Sequence, residues 1–135
     1  MANTSLSAGL MLYSLLNGDE ELKKRITKVF PVVTDNATLP YIAYRRTAIS
    51  RNLVKGGGAD TVSMEVGCFA DTYAGSVELA EQVRGLLDGV QHVVDGDSGN
   101  LVLRSCSMVD GSESYEGDAY CQTLVFEMKI NNSNN

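Results

Sequence analysis

Residues 61–89, TVSMEVGCFADTYAGSVELAEQVRGLLDG, decide the fold because their hydrophobic period changes once, at Asp71 and Thr72. Before that point Val62, Met64, Val66, Cys68 and Ala70 alternate with Thr61, Ser63, Glu65, Gly67 and Phe69. That period of two belongs to a half-buried strand. After it, Tyr73, Val77, Ala80, Val83 and Leu87 recur three and four residues apart, which predicts an amphipathic helix with this stripe turned inward. Asp71 or Thr72 is placed to cap the unbonded amides of the first turn, and Gly89 suits the left-handed residue that ends a helix. Such a helix has roughly 16 residues and a length of about 24 Å. The unit carries no phosphate loop and no metal-ligand spacing. It reads as scaffold, which points toward assembly and away from catalysis.

Upstream, residues 5–16 predict a first helix, with either Leu6, Leu10, Tyr13 and Leu16 or Leu12 and Leu15 facing the core. Asn17 and Gly18 break it, and Asp19 is placed to cap a short second helix over 20–27, with Leu22 and Ile26 inward. Acids there precede Lys23, Lys24 and Arg25, the order the helix dipole prefers. A short edge strand over 29–33 contains Pro31, and a long strand over 41–51 starts behind Leu39 and Pro40. The connection 52–59, NLVKGGGA, reads as a mobile hairpin tip. Downstream, DGDSGN at 95–100 is a turn cluster, 101–109 a strand, 110–117 an acidic hairpin loop and 119–130 the last strand. That strand places Tyr120, Gln122, Leu124, Phe126, Met128 and Ile130 on one face. The order α-α-β-β-β-α-β-β predicts a single α+β domain over 1–130, a mostly antiparallel sheet with helices packed on one face. Residues 131–135, NNSNN, are expected to form a disordered tail.

Length and composition agree with one globular core: 135 residues, 44% hydrophobic and 21% charged. The net charge of −6 argues against a dedicated nucleic-acid binder, which would carry a basic surface. The first 18 residues have a short apolar centre but no basic residue before it, so they read as a helix rather than a signal peptide. No apolar run has the roughly 18 residues of a membrane span. Cys68, Cys106 and Cys121 lack metal spacing, and each falls in a predicted strand, where it is expected as a small buried hydrophobe.

Catalytic readings find little to hold. His92 is the sole histidine, so a triad or a Cys-His mechanism would have to pass through it. Asp95, Asp97 and Gly99 do not fit a calcium loop, because Asn100 and Cys106 stand where glycine and glutamate belong. Gly56, Gly57 and Gly58 are followed by Ala59 and Asp60, not by the lysine and hydroxyl residue of a phosphate loop. No cofactor or metal is expected, and the chain reads as a non-enzyme.

Charge is segregated along the chain. Arg45, Arg46, Arg51 and Lys55 have no acid among them, whereas Asp95, Asp97, Asp110, Glu113, Glu116 and Asp118 share their segment with Arg104 alone. Solvated hairpin edges account for this in one reading, since charge blunts unwanted strand pairing. In the other, Arg45, Arg46, Arg51, Lys55, Gly56, Gly57 and Gly58 of one copy meet Asp110, Glu113, Glu116 and Asp118 of the next, a head-to-tail contact that closes into a ring.

LPYIAYRR at 39–46, VSMEVGCFADTYAGSVELAEQVRGLLDG at 62–89 and YCQTLVFEMKI at 120–130 together resemble the tail-completion proteins of tailed phages and prophages, also called tail terminators or head–tail joining proteins. The leucine-rich opening that ends LLNGDEEL at 15–22 strengthens the likeness, which covers residues 10 to 130. These are packing and turn motifs, with no catalytic residue to carry over. The resemblance implies a structural virion protein, a homo-oligomeric and often hexameric ring that caps the tail tube and docks the head connector. DNA would pass through its lumen without specific binding, no membrane is involved, and assembly would take place in the host cytoplasm. An acidic conduit suits DNA in transit, because it does not hold phosphates. The alternatives are another tail or connector adaptor and a small ligand-binding α+β domain.

Overall fold

The computed structural model describes residues 5–31, 38–51, 58–94 and 101–131. A 3-10 turn, Ser5–Ser7, leads into α1, Ala8–Asn17, and α2, Glu20–Arg25, follows after a two-residue break. Asp19 caps α2 as its position suggests, accepting a hydrogen bond from the Leu22 amide at 3.0 Å. The strands are β1, Val29–Pro31; β2, Tyr41–Ser50; β3, Ala59–Ala70; β4, His92–Val94; β5, Leu101–Glu116; and β6, Ala119–Asn131. They form one sheet in the order β1-β2-β3-β6-β5-β4, antiparallel throughout except for β1 beside β2. Helix α3, Tyr73–Leu87, connects β3 to β4. The α+β class, mostly antiparallel with helices on one face, is therefore as expected.

The core lies between that sheet face and the helices. From β3 and β6 it takes the alternate residues Val62, Met64, Val66 and Cys68, facing Leu124, Phe126, Met128 and Ile130. Helix α3 covers them with Leu79, Val83 and Leu87, and α1 adds Met11, Leu12, Leu15 and Leu16. Thr72 caps α3 by accepting from the Gly75 amide at 3.0 Å, and Gly89 takes φ +85 beyond its end. At the other end of β3, the Ser5 hydroxyl donates to buried Asp60 at 2.7 Å and ties the N-terminal turn to the sheet.

Several expectations need correction, the first being that the second helix, expected over 20–27, ends at Arg25 with Ile26 already in extended backbone. The inward stripe of α3 is Ser76, Leu79, Ala80, Val83 and Leu87; Tyr73 is exposed and Val77 half-buried. Ser76 is tolerated inside because its hydroxyl donates to the Tyr73 carbonyl at 2.7 Å. On α1 the two possible faces are resolved in a mixture: Leu12, Leu15 and Leu16 are buried, whereas Leu6, Leu10 and Tyr13 face outward. The acidic segment 110–117 is not a loop. Strand β5 continues to Glu116 and turns back through Gly117 and Asp118, both with positive φ, as a two-residue hairpin turn of this hand requires. Its alternation is hidden by register shifts between Leu103 and Ser105 and between Met108 and Asp110, each of which resets the period. Finally, the expected order has no strand between α3 and β5, whereas His92–Val94 forms β4, which is too short for a period to show. The last strand includes Asn131, paired with Ala59 and Val102, and the tail beyond it lies outside the described residues, as do the turn cluster 95–100 and most of the triglycine connection.

Candidate functional site

The basic and acidic sets stand on different parts of the sheet. Arg45 and Arg46 lie on β2 and Arg51 just past its end, whereas Asp110, Glu113 and Glu116 lie on β5 and Asp118 in its turn. Strands β3 and β6 run between them, so the two sets do not meet within one copy. Arg45 instead bonds Glu65 across the β2–β3 pair at 3.2 Å, and Arg46 donates to the Leu6 carbonyl at 2.8 Å. Lys55, Gly56 and Gly57 lie outside the described residues, and Gly58 enters β3 with φ +145.

A groove that neither the alternation nor the motifs announce opens between α3 and the hairpin of β5 and β6. It holds about 290 Å³, with walls that include Val77, Ala80, Met108 and Leu124 and a rim that carries Glu81, Arg84 and Glu113. Gly111 is among the residues that line it. Gly111 pairs with Leu124, and a Cβ at Gly111 would meet the Met108 methyl at 3.1 Å. Farther along the hairpin, Glu113 accepts from the Tyr73 hydroxyl at 2.9 Å and from the Gln122 amide at 3.0 Å. The Tyr120 ring sits edge-on to Tyr73 at 6.0 Å and against Tyr115 at 4.7 Å. These contacts fasten the start of α3 to the hairpin. The Gln122 and then the Tyr73 hydrogen bond hold the Glu113 carboxyl below its ordinary range. A lowered folded-state pKa gives a contribution that is complete above the unfolded value and is lost as pH falls through the folded one.

His92 is not part of that groove. It lies in β4 and shares a hydrogen bond of 3.0 Å with the Ser14 hydroxyl of α1, which makes it a tie between helix and strand. Among the described residues, no group of three or more His, Cys, Asp or Glu side chains is placed to hold a metal ion. The three cysteines are buried thiols. Burial pushes Cys106 up to about 12 and raises Cys68 and Cys121 as well. Roughly a thousandfold less thiolate than for a free cysteine is therefore available at Cys106 near neutral pH. In a disulfide-exchange assay the native protein should react at least about a hundredfold more slowly than the urea-unfolded chain. A thiol that reacts within seconds in the native state would contradict this burial.

A chain in the virion of a native gene transfer agent particle shares the fold with TM-score 0.73 and 18% identity, over 89% of this chain and 91% of that one. Comparison with curated proteins finds no match. The family described as tail completion protein gp17 matches residues 11–130, from the buried face of α1 to the last core position of β6, and the chain belongs to that family of structural proteins of the phage tail.

Proposed function

We propose that the protein closes the end of a phage tail tube as a ring of its own copies, often a hexamer in this family, and then receives the head connector, with DNA passing through the lumen. The family match over nearly the whole fold carries this reading. Two physical features support it. Cations on β2 and acids on β5 are held on separate strands of one sheet, the arrangement a head-to-tail contact needs. The net charge of −6 suits a passage through which DNA must slide. In the same reading the segment 54–59 meets a tube subunit, giving backbone hydrogen bonds to a sheet edge.

Adding the purified protein to uncapped tail tubes tests the proposal. Capped ends in electron micrographs and tails of uniform length are the expected result; tubes that stay open and uncapped would refute it. The charge arrangement has its own test. Arg51→Glu, together with Arg45→Glu, should weaken self-association by about tenfold or more at low salt, with little change in melting temperature. Undiminished association would remove these arginines from the contact.

A further inference from the structure

Helix α1 is apolar on more than its buried side. The first 18 residues of the chain contain no charged side chain. Leu10 and Tyr13 are 51% and 43% exposed, on the face opposite Met11, Leu12, Leu15 and Leu16. Leu6, in the preceding turn, is 65% exposed as well. A helix that is apolar all round belongs in an interior, so this face calls for a cover.

The same fold offers a receptor elsewhere. The groove between α3 and β5 is walled by Val77, Ala80, Met108 and Leu124, and its rim carries Glu81 and Glu113. Among the described residues that line it, Arg84 is the cation, and it lies 4.0 Å from Asp88. Beside the exposed face of α1 stands Arg46, held there by its bond to the Leu6 carbonyl. A cation thus flanks the apolar ridge, and carboxylates flank the apolar groove. Within one copy the start of the ridge stands apart from the groove. Ser5 anchors the start of the ridge beside Asp60, whereas Leu124 and Gln122 place the groove at Val66 and Cys68, roughly 20 Å along β3.

We infer that copies of this chain join head to tail, the exposed face of α1 in one copy seating in the α3–β5 groove of the next. The inference rests on the ring reading above and specifies its contact. Leu10 and Tyr13, three residues apart on one face of α1, with Leu6 in the turn before it, are apolar anchors of the kind by which a helix enters a groove. Two unlike surfaces on one chain make the contact heterologous, which is the kind that generates rings. The carboxylates on the groove set orientation by meeting Arg46.

The test uses the full chain and light scattering over a range of concentration. Leu10→Asp with Tyr13→Asp spoils the ridge and leaves the groove; Val77→Asp spoils the groove and leaves the ridge. Each variant alone should be a folded monomer at concentrations where the unaltered chain associates, with dissociation raised on the order of a hundredfold. Mixed in equal amounts, they should form a heterodimer and nothing larger, because one intact contact remains between them. If Val77→Asp does not fold, Glu81→Arg on the exposed rim takes its place. An oligomer untouched by the ridge and groove changes overturns this contact and leaves the ring reading standing. Ridge variants that still oligomerise but no longer bind tail tubes assign α1 to the tube protein and also overturn it. An unaltered chain that stays monomeric at every concentration and also on tube ends overturns both.

Discussion

Phe126→Ala is expected to lower the stability of the fold by about 3–5 kcal/mol. Phe126 is fully buried at the middle of β6, where its neighbours in register are Met64 on β3 and Met108 on β5. Strand β6 is flanked on both sides, so the hole left by the ring cannot be filled by shifting an edge strand. Met64 and Met128 are flexible enough to relax into part of the space, which sets the lower end of the range. Domains of this size have a total stability of about 5–15 kcal/mol, so the variant would lose a large share of it. Urea unfolding followed by circular dichroism should show a lower midpoint with an unchanged slope. Val109→Ala, on the exposed stretch of β5, is the control and should stay within about 0.5 kcal/mol. If both variants lose the same amount, the core is not where the sheet places it.

How much of this was legible in the sequence depended on whether one rule governed each stretch. Strand β3 pairs over its whole length with β6 in unbroken register, so its alternation survives into the sequence intact. The caps at Asp19 and Thr72 need only one side chain and a nearby amide, and both are local. Strand β5 was cut short because two bulges reset its period and because its outer half, from Val109 on, has no buried face to mark it. The parallel pairing of β1 with β2 depends on how α1 and α2 deliver the chain to the sheet, which no local pattern records. The groove was invisible for a related reason. It is assembled from α3, β5 and β6, which only the fold brings together. Charge segregation was readable at once. That Arg45 would pair with Glu65 was not, because cross-strand neighbours follow from register, not from proximity in the chain.

Helix α1 supplies the sharpest contrast between readings, because spacing alone allowed either of two leucine faces to turn inward. Leu12→Asp should cost about 4 kcal/mol or more, the sum of the lost leucine burial and the desolvation of an unpaired carboxylate. Leu12 is fully buried among the residues that close the core, and the expected product is a chain that is largely unfolded or aggregated. Leu10→Asp, two positions away, should change stability by no more than about 0.5 kcal/mol. Leu10 is half exposed, and it is the third residue of the helix, where a carboxylate gains from the helix dipole what it loses in intrinsic propensity. Circular dichroism and urea unfolding of the two variants therefore separate the faces cleanly. Equal destabilisation would mean that α1 is buried on both sides within a single copy, and the exposed ridge would cease to exist. A stable Leu10→Asp protein that no longer associates would mean that the second apolar face of α1 serves contact between chains, since folding of one chain does not use it.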